Sequence, residues 1–210
     1  MTYLQLSHQQ KTIILSRFAV ATIQILKKQT LSEKKYPLKY ISFEKPDAEG
    51  EFHNLEKEVY FRPDAVAVLP VDIKHKRLLL TKQFRLPTFL NGNDNGYLVE
   101  ACAGLVDGDE TPEQTASREA EEETGYQISE LVKVAGGYSS PAATTEFLHL
   151  FLAAYSSKKG HAKYGGLKNE GEDIELVEMS FDEARLQLNE GAFRDIKTIL
   201  LLQHFFMMHA

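Results

Sequence analysis

Gly104–Tyr126 reads GLVDGDETPEQTASREAEEETGY, and the rest of the chain is best understood outward from it. Thr111 is a natural N-cap, Pro112 suits the first helical position, and Gln114 completes a Thr-x-x-Gln capping box. Gly125 supplies a C-terminal cap, so the spacing predicts a helix from Pro112 to Thr124. Glu119, Glu122 and Glu123 fall at i, i+3 and i+4 and project from one face, with Glu121 beside them. Like charges at these spacings repel, and carboxylates in a last turn meet the negative end of the helix dipole. Arg118 offsets only part of this charge. One reading is a solvated acidic helix end. The other is a bound divalent cation, for which an oxygen-only donor set suits Mg2+ or Mn2+.

The spacing favours the cation. Gly104 is followed by five residues, Glu110, seven residues, and then Arg118-Glu119-Ala120-Glu121-Glu122-Glu123-Thr124-Gly125-Tyr126. This resembles the Nudix box, G-x5-E-x7-R-E-U-x-E-E-x-G-U with U bulky or aliphatic. Every fixed position is filled, and Ala120 is the one small occupant of a U position. The resemblance implies an α/β fold, a Nudix α/β/α sandwich with a mixed central sheet. It also implies a loop–helix–loop that holds divalent metal on the diphosphate of a nucleoside diphosphate linked to a second moiety.

Composition sets the outer bounds. A chain of 210 residues suits one domain with a small appendage. A formal charge of −6 argues against a nucleic-acid-binding surface. One cysteine, Cys102, excludes an internal disulfide framework and fits a reducing cytoplasm. No apolar run approaches a membrane span, and the N-terminus lacks the pattern of a signal peptide.

In chain order, residues 1–26 read as an N-terminal extension, partly helical, and 27–62 as a small antiparallel β unit. Within the latter, Lys39–Glu44 and Lys57–Phe61 alternate around a turn in PDAEGE. Residues 63–210 form the main domain. Ala65–Leu69 and Arg77–Gln83 read as paired strands, NGNDNG from Asn91 as a turn, and Tyr97–Ala103 as one strand leading into the acidic helix. NGNDNG imitates the start of a calcium loop, but its twelfth position is Cys102 instead of a glutamate, so that reading fails. Leu131–Tyr138, Phe147–Tyr155 and Ile174–Ser180 are further strands. Phe181–Asn189 and Asp195–Met208 are helices.

Within the resemblance, Glu119 and Glu123 are the main metal ligands, Glu122 a further or alternate one, and the Ala103 carbonyl a backbone ligand. Arg118 orients a glutamate by pairing with Glu110 or Glu122. A second acidic element, Glu170-Gly171-Glu172-Asp173-Ile174, is similar to the E-x-E-D-I segment of the nucleotide-sugar branch of the family. It implies Glu170 as catalytic base and Glu172 as an additional metal ligand. The catalytic set is thus Glu170, Glu122 and Arg118.

Further pieces resemble the GDP-mannose pyrophosphatase and ADP-ribose pyrophosphatase branch. They include Glu58-Val59-Tyr60, Gln83-Phe84-Arg85, Thr145-Glu146, and Arg194-Asp195 with Lys197-Thr198. The usual Ser-Pro-Gly turn reads Ser140-Pro141-Ala142. The resemblance implies Arg85, Tyr60, Arg62 and Glu146 as substrate ligands, with Tyr60 and Arg62 on a sheet that joins two copies as a homodimer. Arg85 also reads as a strand cap. Cys102 reads as a small buried hydrophobe and His149 as a satisfied core histidine. The implied activity is Mg2+-dependent hydrolysis of a nucleotide sugar, GDP-mannose giving GMP and mannose 1-phosphate. ADP-ribose giving AMP and ribose 5-phosphate is the alternative, and a ligand-sensing domain without turnover is a third reading.

Overall fold

In the computed structural model of the protein the described residues are 22–156, 164–166 and 173–209. The chain divides into two compact units, Met1–Arg62 and Pro63–Ala210.

In the first unit, β1 (Gln24–Ser32), β2 (Leu38–Pro46) and β3 (Phe52–Tyr60) form an antiparallel sheet in sequence order. β1 starts at Gln24, inside the stretch read as a helical extension, because β2 runs long enough to pair Gln24 with Glu44. Asp47 makes the β2–β3 turn by accepting from the backbone N–H groups of Glu49 and Glu51. Only Ile41 is a buried apolar side chain among the described residues of this sheet.

The second unit is built on β4 (Ala65–Asp72), whose run AVAVLPVD is buried along its whole length. A strand covered on both faces needs no polar alternation. Its odd-numbered residues Ala67, Leu69 and Val71 pack with Leu201, Leu202 and Phe205 on one face, and Val66 and Val68 pack with Ala116 on the other. The remaining strands are β5 (Arg77–Phe84), β6 (Tyr97–Glu100), β7 (Cys102–Leu105), β8 (Ser129–Tyr138), β9 (Phe147–Ala154), β10 (Tyr164–Gly165) and β11 (Ile174–Ser180). They make one mixed sheet in the order β10-β11-β5-β4-β9-β8, with β4 and β9 parallel. The helices are α1 (Leu86–Leu90), α2 (Pro112–Thr124), α3 (Phe181–Asn189) and α4 (Ile196–Met208). Ala116 seats α2 on one face of the sheet, and Ala184 and Leu201 seat α3 and α4 on the other. This is the expected α/β/α sandwich.

Two details place the functional residues. β5 pairs with β4 only through Arg77 and Leu78, then diverges. The wedge is filled by β6 on β5 and β7 on β4. What reads as one strand, Tyr97–Ala103, is therefore two, broken at Ala101, whose N–H bonds to Thr198 Oγ1 at 2.7 Å. Pro70 is tolerated in a central strand because it falls between the ladders to β7 and β5. No helix among the described residues is long and apolar enough to cross a membrane.

Candidate active site

Helix α2 is capped as its sequence requires. Thr111 Oγ1 accepts from the Gln114 N–H at 3.2 Å, Gln114 Oε1 accepts from the Thr111 N–H at 2.8 Å, and Gly125 closes the end with φ 72°. Ala116 and Ala120 are fully buried, and small residues there let the helix lie close on the sheet. Glu123 continues the same stripe, seven residues past Ala116, so the fold carries a carboxylate into the interior at the β6–β7 wedge.

Glu123 is 2% exposed. Its Oε1 accepts from Gln83 Nε2 at 2.8 Å and its Oε2 from the Ala103 N–H at 3.1 Å. Burial pushes its pKa up to about 7, against the pull of hydrogen bonds from the Cys102 thiol, Gln83 and Ala103, while the charge of Glu119 adds to the rise. None of these donors is charged. Cys102 is buried as expected, but it donates to the carboxylate instead of merely filling space.

Around the corner, Arg118 sits among three carboxylates. Nε and Nη2 bind Glu110 at 3.0 Å, and Nη1 reaches Glu119 Oε1 and Glu122 Oε2, each at 2.9 Å. Hydrogen bonds from Arg118 hold Glu110 below its ordinary pKa, and the surrounding carboxylates raise that of Arg118. Gly104 makes room for this arrangement. A β-carbon there would stand 1.9 Å from both Cδ and Oε1 of Glu119. Among the described residues no three acidic, histidine or cysteine groups form a ready-made metal cage. The donor set nonetheless fits a hard divalent cation. Its oxygens come from adjacent helix positions, and Glu123 is buried on neutral donors alone.

Gln83 lies near the end of β5 and Arg85 just past it as the N-cap of α1, and Arg85 lies within electrostatic reach of Glu123. Arg85 donates through Nε and Nη2 to the two oxygens of Glu100, at 2.8 and 3.0 Å. Lys197 donates to Glu100 Oε2 at 2.6 Å and to Asp195 Oδ1 at 2.8 Å. Asp195 caps α4 by accepting from the Thr198 N–H at 3.0 Å. Glu100 is also 2% exposed. Burial opposes its charge, but the hydrogen bonds and charges of Arg85 and Lys197 outweigh burial and lower its pKa.

Sequence reasoning missed Gln83, Glu100 and Lys197 as members of this cluster. One signal was available, a lone glutamate in the apolar run YLVEACAG. Other expected residues belong to other segments. Glu146 accepts from Ser139 Oγ at 2.8 Å in the β8–β9 connection. The register puts it beyond Leu148, at the same sheet end as Leu105. Tyr60 and Arg62 belong to the first unit, where Tyr36 gathers them, its ring 5.9 Å from that of Tyr60 and 5.5 Å from the Arg62 guanidinium. His149 is satisfied, by Lys133 at 2.8 Å and Asp64 at 3.3 Å, but it is not in the core. Glu170 and Glu172 lie outside the described residues. The described residues 164–166 meet the end of α2, since the Gly166 N–H bonds to Glu122 O at 3.3 Å and a β-carbon on Gly165 would stand 1.8 Å from Glu123 O.

Comparison with known proteins shows the family. Residues 61–202 match the NUDIX domain. A GDP-mannose pyrophosphatase of Cronobacter sakazakii is 42% identical over 182 residues, covering 87% of this chain and 94% of its own. One from Shigella flexneri serotype 5b is 40% identical over 187 residues, covering 89% and 96%. A solved structure described as an ADP compounds hydrolase shares the fold with TM-score 0.65 and 18% identity, covering 88% of this chain and 92% of its own. The chain belongs to the Nudix family and is a Nudix hydrolase.

Proposed function

We propose that the chain hydrolyses the diphosphate bond of a nucleoside diphosphate sugar, GDP-mannose first, releasing GMP and mannose 1-phosphate. The observation that carries this reading is likeness along the chain's length. Relatives named GDP-mannose pyrophosphatase match 87–89% of it, well beyond the box that every diphosphate-cleaving member needs.

In this reading Glu119, Glu122, Glu123 and Glu172, with the Ala103 carbonyl, hold Mg2+, or Mn2+ in its place. When bound, the cation neutralises diphosphate oxygens and acidifies the attacking water. Arg118 keeps Glu119 and Glu122 aligned, and Glu110 anchors Arg118. Glu170 takes the proton of the attacking water. Arg85 binds the diphosphate or sugar with a planar, permanently charged group. Glu146 faces the substrate, and Tyr60 and Arg62 bind the base. A three-stranded sheet with one buried apolar side chain has little core of its own, which supports burial against a second copy as a homodimer. One buried cysteine fits a cytoplasmic location.

Phosphate released by a phosphatase after incubation with GDP-mannose or ADP-ribose ranks the substrates. Faster release from GDP-mannose is expected. A large preference for ADP-ribose, giving AMP and ribose 5-phosphate, would replace the first substrate, and no release from either would favour a ligand-sensing domain.

A further inference from the structure

We propose that Glu100 is a positioning residue for this reaction, holding the Arg85 guanidinium toward the substrate through a buried two-point ion pair braced by Lys197. The inference rests on the reading of Arg85 as a substrate ligand.

Three features carry it. The pair is planar and two-pointed, with Nε on one Glu100 oxygen and Nη2 on the other, so the guanidinium can neither tilt nor rotate without breaking a bond. The anchor and the presented group differ in exposure. The Glu100 side chain is 2% exposed and the Arg85 side chain 39%. Among the described residues Nη1 makes no hydrogen bond, so its two N–H groups are left for another partner. Finally, the anchor is itself anchored. Lys197 bridges Glu100 and Asp195, Asp195 caps α4, and Thr198 Oγ1 receives the Ala101 N–H at the break between β6 and β7. The terminal helix is thereby tied to the direction in which Arg85 points.

A pair present only for stability would be a poor choice. A carboxylate taken out of water to meet a largely buried ammonium and a part-exposed guanidinium gains little over apolar side chains of the same volume. A fixed direction for a ligand-binding group is what an apolar replacement would not give.

A double-mutant cycle on KM tests this, using Glu100→Gln, Arg85→Ala and the double variant with whichever nucleotide sugar the wild type turns over. Glu100→Gln is expected to raise KM about tenfold with kcat within about twofold, and Arg85→Ala to raise KM at least as much. The double variant should have the KM of Arg85→Ala alone. Equal effects of Glu100→Gln in both backgrounds overturn the positioning role and leave Arg85 a ligand. An unchanged KM in Arg85→Ala overturns both. Glu100→Asp, which keeps the charge but shortens the reach, should fold where the glutamine variant fails and still raise KM. An unchanged KM there also overturns the proposal. Because the cycle runs on either nucleotide sugar, it discriminates equally well if the preferred substrate is not GDP-mannose.

Discussion

Glu100 on β6 and Glu123 on α2 are equally buried, each 2% exposed, yet they are treated in opposite ways. Glu100 has two resident cations, Arg85 and Lys197, and is held ionised. Glu123 has an amide, a backbone N–H and a thiol, and its pKa rises to about 7. Burying a carboxylate with no cation bonded to it is costly, and a fold that does so at one site while pairing the other leaves the unpaired site suited to a cation from outside. The Glu100 site is paired within the chain. In the proposed reading the Glu123 site is completed by metal and substrate.

The strongest way to break this contrast is to neutralise Glu123. Glu123→Gln should lower kcat by about a hundredfold or more, as expected for a lost metal ligand. It should leave metal-free stability at pH 8 unchanged or higher, because Gln83 can turn its amide to suit a neutral partner. Steady-state kinetics and melting with and without Mg2+ measure both, and near-full activity would remove Glu123 from the metal site. Glu100→Gln should show the reverse balance. It strands two cations and should lose about 2 kcal/mol of stability in urea, less than a fully buried pair because Arg85 is part exposed. No loss would mean the pair is a surface contact in all but position.

Acidity separates the two glutamates by sign. A folded pKa raised to about 7 means that the stability associated with protonated Glu123 is present below its unfolded value near 4.5 and is lost as pH rises through 7. In EDTA, the wild type should therefore lose about 1–2 kcal/mol relative to Glu123→Gln between pH 5 and 8, and Mg2+ should flatten that slope. The lowered pKa of Glu100 acts the other way. Its contribution is present above about 4.5 and falls away as pH drops through the folded value. Urea unfolding from about pH 2.5 to 8 reads both limbs. A metal-free wild type that gains stability over Glu123→Gln as pH rises would mean Glu123 has a cationic partner after all.

The two glutamates also differ in how far they could be read in advance. The helix, its caps and the face bearing Glu119, Glu122 and Glu123 follow from local rules of propensity and spacing, so Pro112–Thr124 was legible residue for residue. The sandwich was legible too, from the strand and helix order together with the box. What local rules could not give is pairing. Nothing within Tyr97–Ala103 says that the strand changes partner at Ala101, because the change is forced by β5 leaving β4 elsewhere. With that break unread, Glu100 and Lys197, 97 residues apart in sequence, could not be joined. The extension before β1 failed similarly, since Gln24 is in a strand only because β2 is there to pair with it.

The smallest test probes the close approach of Glu119 to Gly104. In Gly104→Ala the new β-carbon would meet Glu119 Cδ and Oε1 at 1.9 Å and Cγ at 2.4 Å. The colliding atoms are the end of a flexible side chain, so Glu119 can swing aside and the stability loss should stay under about 1 kcal/mol. The displacement matters for function only if Glu119 is a metal ligand, because swinging aside also breaks its contact with Arg118. The Mg2+ concentration for half-maximal activity should then rise about fivefold, less than the roughly 10–100-fold that outright loss of an outer-shell partner costs. Gly137→Ala is the control, since its β-carbon would meet nothing within 4 Å. A Gly104→Ala enzyme with unaltered Mg2+ dependence would move Glu119 from the metal to the same category as Glu100, a carboxylate whose partner is an arginine and whose work is to hold that arginine in place.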